Sequence, residues 1–222
     1  MTSTNDERYS RQRDIVPPER IASCKTTIIG VGAIGRQVAL QLAAIGIPWL
    51  QIIDHDKVEW SNLASQGYLE GDMGKPKVNA TSELCQRINT TCEIHIVPQR
   101  FRRSMEVGNV VFCCVDRIDV RRLIWESVKD KVSFFIDGRM SAEVLRILTA
   151  NNDESRNYYP TTLFNADEAF VGPCAAKTTI YCANIAAGLM VAQFTKYLRQ
   201  LPVDADIQFN LLSSEISVGI VG

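Results

Sequence analysis

The stretch that most constrains the fold runs from Thr26 to Asp56 and reads TTIIGVGAIGRQVALQLAAIGIPWLQIIDHD. It predicts a strand, a tight glycine turn, a helix, a second strand and then a pair of carboxylates. The β-branched run Thr26–Ile29 is typical of a buried parallel strand, and Leu50–Ile53 forms the second one. Since parallel neighbours need a crossover helix between them, this order of elements predicts an α/β domain.

The turn between the first strand and the helix carries the pattern G-x-G-x-x-G at Gly30, Gly32 and Gly35. The first glycine permits the tight turn, the second lets a phosphate approach the backbone, and the third lets the helix lie against the strand. The free N–H groups at the helix start form an anion site. Asp54 follows Gly35 by roughly 20 residues, the spacing at which an acid meets a ribose hydroxyl. Together these features predict a nucleotide-binding unit.

Composition excludes several classes of function. The chain has 222 residues, a net charge of −1 and 46% hydrophobic residues, enough for one large α/β domain and without the basic footprint of a nucleic-acid partner. We expect no membrane partner, since no apolar run reaches the ~20 residues of a bilayer span and the polar start is not a signal peptide. Seven cysteines, several of them inside apolar runs, favour a reduced, cytoplasmic compartment. No C-x-x-C pair occurs, so no zinc is expected.

The rest of the chain continues the α/β alternation. We expect a helix running toward Ile21 near the start and a loss of regularity over residues 151–172. The later elements predicted are strands at Glu93–Val97, Asn109–Val115, Val132–Ile136 and Val144–Ala150, helices at Val78–Ile88, Asp119–Asp130 and Ile180–Leu198, and a strand-like end at Ile207–Val218. The predicted fold class is a Rossmann-like three-layer α/β fold with a mostly parallel central sheet and antiparallel C-terminal strands.

Charged residues cluster in the long loop after the second strand. Asp54 and Asp56 lie so close together that a cation should share their site. With Asp54 assigned to a ribose, Asp56 is free to face a metal or a second polar partner; the alternative is an ordinary loop or N-cap acid. Lys77 begins the next helix, where a cation opposes the helix dipole unless an anion lies nearby. The loop therefore predicts a ligand with more negative charge than a dinucleotide.

Two later positions also carry chemistry. Asp116 follows the fourth strand, at the carboxyl edge where open α/β sheets bind ligands. Cys113 and Cys114 lie within that strand's apolar run and are interpreted as packing residues. Cys174 is different, because it precedes a helix N-terminus and lies near Lys177, and both features lower a thiol pKa. The alternative for Cys174 is an ordinary loop cysteine.

These motifs, in this order, resemble the ubiquitin-activating-enzyme-like superfamily of the ThiF/MoeB/HesA type. The resemblance covers almost the whole chain. The matching segments are RYSRQ at 8–12, the glycine loop, D-H-D-x-V-E-x-S-N-L at 54–63, G-K-P-K-V at 74–78, C-V-D at 114–116 and G-P-C at 172–174. The resemblance implies a single adenylation domain over residues 1–222, with an N-terminal arm at 1–24 and a crossover segment at 151–179.

The resemblance also implies a chemistry. Members use MgATP to adenylate the C-terminal carboxylate of a ubiquitin-like or sulfur-carrier protein that ends in Gly-Gly. Asp116 would hold Mg²⁺, Arg11 would reach across a homodimer to the triphosphate, and Cys174 could accept the acyl group before a possible conjugating enzyme. The implied nucleotide-binding residues are Gly30, Gly32, Gly35, Asp54, Asp56, Asn62, Gln66 and Lys77.

The chain departs from the family pattern in three respects. Ser65 stands where relatives usually have an arginine, which removes one cation; Arg36, Lys75 or Arg139 could compensate for it. The zinc-binding cysteine pairs and any rhodanese or ubiquitin-fold extension are absent, so we expect a minimal form. Two other functions stay open: an adenylation-inactive nucleotide-binding scaffold, which Ser65 favours, and an NAD-dependent oxidoreductase.

Overall fold

The computed structural model describes residues 7–164 and 178–219. Its centre is an eight-stranded sheet with the spatial order β3-β2-β1-β4-β5-β6-β7-β8. The strands are β1 (Lys25–Ile29), β2 (Trp49–Ile53), β3 (Glu93–Val97), β4 (Val110–Cys113), β5 (Phe134–Ser141), β6 (Val144–Ala150), β7 (Asp206–Asn210) and β8 (Glu215–Val218).

The sheet is mixed. Strands β1 to β5 are parallel to one another, with Ile29 paired to Ile53 on one side and to Cys113 on the other. Strands β6, β7 and β8 join antiparallel at the β5 edge. The predicted fold class, with a parallel core and antiparallel C-terminal strands, is therefore confirmed.

Helices cover both faces of the sheet. The helices are α1 (Pro18–Ile21), α2 (Ala33–Ile45), α3 (Trp60–Gln66), α4 (Lys77–Ile88), α5 (Ile118–Val128), α6 (Asp153–Tyr158) and α7 (Ile180–Leu198), with 3-10 turns at Ser10–Gln12, Glu70–Asp72 and Tyr159–Thr162. Helices α2, α4 and α7 share one hydrophobic core, whereas α5 packs on the opposite face with its own core. None of these helices is long and apolar enough to cross a membrane.

Successive strand residues alternate between the two cores. Ile28 and Phe134 belong to the core under α2 and α7, and Ile29 and Phe135 belong to the core under α5. All four side chains are at most 2% exposed. Strands buried on both faces read as continuous apolar runs, and it is these β-branched runs that predicted the strands from the sequence.

The structure differs from the predicted elements in several places, among them helix α3 within the predicted long loop and the extension of β5 to Ser141. The N-terminal helix toward Ile21 is divided into two short pieces, since Pro17 and Pro18 start a new turn. Residues 153–162 are helical, because the Asn152 side chain accepts a hydrogen bond from the Ser155 N–H and caps α6. The strand-like end is a hairpin of β7 and β8, with Ser214 at φ +56° in the turn.

Two glycines are required by backbone geometry. Gly30 has φ +88°, and a Cβ there would lie 2.9 Å from the Cys114 carbonyl oxygen. A Cβ on Gly35 would lie 1.9 Å from the carbonyl oxygen of Gly30. The close approach of α2 to β1, which aims the start of α2 at the sheet edge, therefore depends on Gly35.

Replacing Gly35 by alanine should destabilise the fold by at least ~2 kcal/mol, because the new methyl group must displace backbone. Equilibrium urea unfolding measures this change in free energy. Gly188→Ala is the matched control, because a Cβ there meets nothing within 4 Å in the interior of α7. This control should be neutral or stabilise by up to ~1 kcal/mol. Equal stabilities of the two variants would contradict the packing argument.

Candidate nucleotide site

A cleft of about 740 Å³ opens at the carboxyl ends of the parallel strands. It collects side chains and backbone from the ends of β1, β2, β4 and β5 and from the starts of α2, α4 and α5. The predicted site residues that line it are Gly30, Gly32, Asp54, Asp56, Asn62, Gln66, Lys77 and Asp116. Residues far apart in sequence thus meet at the sheet edge where doubly wound folds bind ligands.

Two other predicted site residues within the described part of the chain, Gly35 and Arg11, do not line this cleft. Gly35 lies beneath it, against Gly30. Cys174 lies outside the described residues, so the structure gives no account of its surroundings. Arg11 is exposed on the 3-10 turn Ser10–Gln12, whose Gln12 Nε2 donates to the Ile45 carbonyl at the far end of α2. The cleft is at the other end of this 13-residue helix, roughly 20 Å away.

Asp54 connects β2 to the glycine loop. Its Oδ2 accepts a hydrogen bond from the Val31 N–H at 2.8 Å, and its Oδ1 accepts one from the Asp56 N–H at 2.8 Å. The side chain is 8% exposed. Each carboxylate oxygen has a second lone pair, so a ribose hydroxyl could still donate to Asp54. The sequence predicted only the ribose role of Asp54. It could not predict the hydrogen bonds to the two backbone N–H groups, because every residue except proline has such a group.

Lys77 and Asp56 form an ion pair inside the cleft. The Lys77 Nζ is 3.2 Å from Asp56 Oδ2, and the Lys77 N–H donates to the Asp56 carbonyl at 2.9 Å. The Lys77 side chain is only 8% exposed. The Asp56 carboxylate therefore supplies part of the negative charge that was expected beside Lys77 at the start of α4. The expectation that a ligand alone supplies this negative charge is therefore too strong.

Helix α3 presents polar side chains to the cleft. Asn62 Oδ1 accepts from the Glu59 N–H at 3.0 Å and so caps the helix start. The Ser65 hydroxyl donates to the Ser61 carbonyl at 2.8 Å, within its own helix. Gln66 Oε1 is buried without a hydrogen-bond partner among the described residues. Apart from the chain neighbours of Gly32, it is the only atom of the described residues within 4 Å of the Cβ position there, at 4.0 Å.

Gly32 shows that the cleft has room for a phosphate. A Cβ at Gly32 would touch no protein atom closer than Gln66 Oε1, at 4.0 Å. Protein packing therefore does not explain the glycine. What a side chain would fill is the space over the N-terminus of α2, where N–H groups point outward and favour an anion.

The β4 side of the cleft carries a second acid. Asp116 is exposed in the loop between β4 and α5 and lines the cleft. The neighbouring Arg117 pairs with Asp119, its Nε lying 3.0 Å from Oδ1.

Cys113 is fully buried, as expected of a packing residue, whereas Cys114 is half-buried and also lines the cleft. Burial raises the pKa of Cys114, so this thiol stays protonated.

A buried charged network forms the floor below Asp116. Arg121 pairs with Asp137 and donates to the carbonyls of Val115 and Gly138. Arg139 Nε donates to the same Asp137 carboxylate at 2.8 Å. Burial lowers the pKa of both guanidinium groups, which nevertheless remain charged. This network holds the backbone immediately before Asp116, and sequence reasoning missed it.

The donor set fits Mg²⁺ at Asp116. Magnesium is usually held by one or two carboxylates plus substrate phosphates, and Asp116 offers an exposed carboxylate beside the space over Gly32. Among the described residues, the one group of three potential metal ligands is Asp54, His55 and Asp56, with ligand atoms within 4.8 Å. Asp54 and Asp56 are already engaged with backbone N–H groups and Lys77, and imidazole is a poor ligand for magnesium.

Solved structures establish the same architecture. The fold matches PaaA with a TM-score of 0.80 and 22% identity, covering 100% of this chain and 84% of PaaA. It also matches E. coli MccB bound to ATP, with a TM-score of 0.77 and 17% identity, covering 98% of this chain and 72% of MccB. At these identities the likeness shows the fold alone.

Sequence comparison identifies the family. The adenylyltransferase and sulfurtransferase MOCS3 of Mus musculus is 32% identical over 53% of this chain and 28% of that protein. The sulfur carrier protein ThiS adenylyltransferase of Bacillus subtilis is 28% identical over 57% of this chain and 42% of that protein. The chain thus spans less than half the length of these two relatives. A profile of the ThiF family matches residues 9–217, and the chain is therefore a member of the ThiF family.

Proposed function

We propose that this chain uses MgATP to adenylate the C-terminal carboxylate of a ubiquitin-like or sulfur-carrier protein. One observation carries the proposal: the cleft brings Asp54, Lys77 and Asp116 together around the glycine loop. A ribose-binding acid, a buried ammonium and an exposed acid for magnesium are the groups that this reaction requires. A dehydrogenase would need no cation such as Lys77 opposite the glycine loop.

The nucleotide would lie across the glycine loop. Asp54 would accept from a ribose hydroxyl, and the N–H groups at the start of α2 would face a phosphate over Gly32. Lys77 would neutralise phosphate charge as a point cation, with Asn62 and Gln66 beside it on α3. Asp116 would hold Mg²⁺, which would supply positive charge that offsets the charge of the phosphates.

The reaction itself would need little covalent chemistry from the protein. The substrate carboxylate attacks the α-phosphorus, a new C–O–P bond forms, and the bond to the β-phosphate breaks to release pyrophosphate. The contribution of this chain is to align the two anions and to neutralise their charge. Lys77 is suited to this role because its low exposure strengthens its interaction with charge in the cleft.

The substrate is proposed from relatives. The names of relatives include ThiS as a sulfur carrier, and MccB is seen in complex with N-formylated MccA, so both small carrier proteins and peptides should be tested. A ubiquitin-like protein ending in Gly-Gly and a downstream conjugating enzyme belong to the same proposal. Thioester formation at Cys174 rests on the sequence alone, because that residue lies outside the described part of the chain.

The position of Arg11 favours a homodimer. It lies at the opposite end of α2 from the cleft of its own chain, roughly 20 Å away, and an arginine side chain cannot span that distance. A role for Arg11 at the triphosphate is therefore possible only in the cleft of a second copy. We propose that two chains form composite sites in this way.

The first test is ATP–pyrophosphate exchange with candidate carrier proteins and peptides. Exchange should depend on one substrate, and Asp116→Ala should reduce it at least ~100-fold through lost charge stabilisation. Asp130→Ala is the control, because this exposed acid follows the far end of α5. ATP binding without exchange for any substrate would favour the inactive scaffold. Normal exchange by Asp116→Ala would refute the role of Asp116.

Mixing inactive variants tests the composite site. Arg11→Ala and Asp116→Ala chains should each be inactive alone, because each lacks one half of every site. After mixing, a heterodimer contains one intact site, so up to roughly a quarter of wild-type activity should return if chains mix randomly. Activity is measured after refolding or prolonged co-incubation. Failure to recover any activity in verified heterodimers would show that Arg11 does not act in trans.

Gly32→Ala tests the phosphate position. The substitution should lower the free energy of unfolding less than Gly35→Ala does, because the Cβ meets only Gln66 Oε1 at 4.0 Å. It should weaken MgATP binding at least ~10-fold by filling the space over α2. Titration calorimetry measures the binding. If this variant binds MgATP like the wild type, the phosphate does not lie over Gly32.

A further inference from the structure

The basic residues that line the cleft differ in whether an acid already neutralises them. Among the described residues, the lysines and arginines of the cleft lining are Lys77, Arg100, Arg117 and Arg121. Three further basic residues that the sequence suggested, Arg36, Lys75 and Arg139, do not line the cleft. A cation attracts an anionic ligand most strongly when no carboxylate already neutralises its charge, so the partners of each cation indicate its use.

Three of the four cleft-lining cations are paired with a carboxylate. The pairs are Lys77 with Asp56, Arg117 with Asp119 and Arg121 with Asp137. The distances are 3.2 Å for the lysine pair and 3.0 Å from the Nε of Arg117 to its aspartate. An anion that binds one of these three cations must therefore displace a carboxylate or share the cation with it.

Arg100 is the exception. It is exposed and lines the cleft, and it forms no ion pair or side-chain hydrogen bond with any residue that the structure describes. A guanidinium remains charged in proteins, and its fork of N–H donors matches the oxygens of a phosphate. Within the described part of the chain, Arg100 is therefore the cleft-lining lysine or arginine whose charge and donors are all available to a ligand.

The backbone on both sides holds Arg100 at the cleft. The Val97 carbonyl, at the end of β3, accepts from the Gln99 N–H at 2.8 Å and from the Asp54 N–H at 3.2 Å. On the other side, Phe101 is 9% exposed and belongs to the core under α5. Arg100 thus lies between a turn that is joined to the end of β2 and a buried ring. Its backbone is fixed beside the cleft while its side chain remains accessible.

We infer that Arg100 is a ligand-binding residue of the cleft, whose guanidinium pairs with a phosphate of the bound nucleotide. The inference rests on the proposed function in one respect, that the ligand is a nucleotide polyphosphate. Lys77 must release Asp56 before it can bind a phosphate fully, whereas Arg100 loses only its hydration. The hydrogen bond between Asp54 and Val97 places Arg100 on the side of the cleft where the ribose would lie.

Binding of three ligands tests this assignment. Titration calorimetry on the full chain measures the dissociation constants for MgATP, magnesium tripolyphosphate and adenosine. Arg100→Gln should weaken binding of the two polyphosphates about 5-fold, the upper range for an exposed ion pair, and should leave adenosine within ~2-fold. Wild-type affinity for MgATP in this variant would overturn the inference. So would an equal loss for adenosine, since Arg100 would then contact the base or the ribose.

Two neighbouring arginines supply matched controls. Arg102 and Arg103 are exposed on the same loop but do not line the cleft. Arg102→Gln and Arg103→Gln each remove one charge close to position 100 and should bind MgATP within ~2-fold of the wild type. If either control lost as much affinity as Arg100→Gln, the general positive charge of the loop would explain the effect, and the pairing would be refuted.

Salt and thermal stability separate lost charge from altered structure. The difference in MgATP affinity between the wild type and Arg100→Gln should shrink as ionic strength rises from about 0.05 to about 0.5 M, because an exposed pair is screened. The melting temperature should stay within ~1 °C, since the side chain is exposed. A difference that salt does not reduce, or a clear fall in melting temperature, would indicate a structural role instead.

The same titrations keep this inference separate from the adenylation proposal. If the wild type binds MgATP and no substrate gives pyrophosphate exchange, the adenylation proposal fails, and Arg100→Gln still decides the role of Arg100. If exchange occurs and Arg100→Gln binds MgATP like the wild type, the role of Arg100 fails alone. A wild-type chain that binds neither MgATP nor tripolyphosphate would overturn both.

Discussion

The Asp54 carboxylate holds together the part of the molecule on which the site depends. It accepts a hydrogen bond from the Val31 N–H, which joins the end of β2 to the glycine loop. It also accepts one from the Asp56 N–H, which fixes the start of the loop that follows β2. Asp56 is thereby aimed at Lys77, and Lys77 begins α4 with its ammonium inside the cleft. Asp54 thus positions the glycine loop, the Asp56 carboxylate and the Lys77 ammonium.

The sheet supplies the frame for this interaction. The parallel strands end at one edge, the helix α2 starts there only because Gly35 lets it approach Gly30, and the network of Arg121, Asp137 and Arg139 supports the loop that carries Asp116. Packing on both faces keeps these ends in register. The polar groups of the cleft therefore lie at the ends of packed strands and helices, or in loops that hydrogen bonds and ion pairs tie to those ends.

Local pattern predicted much of this arrangement. The β-branched runs, the glycine spacing and the acids at strand ends are local signals, so the parallel strands, the cleft and most of its residues could be inferred from the sequence. Long-range pairings could not. Nothing near Lys77 in sequence indicates its bond to Asp56, 21 residues away, and the carboxylate shared by Arg121 and Arg139 depends on the tertiary fold. The short helix α6 was missed for a local reason, because its cap at Asn152 was not recognised.

The ion pair between Lys77 and Asp56 gives the cleft a built-in competitor. Any anion that binds Lys77 must first outcompete a carboxylate tethered 3.2 Å away, which is present at high effective concentration. A singly charged anion competes poorly with the Asp56 carboxylate for Lys77, whereas a multivalent anion that also reaches the start of α2 competes well. The same carboxylate can reclaim the ammonium as a product departs. If the proposed nucleotide binds here, the pair would select multivalent over singly charged anions.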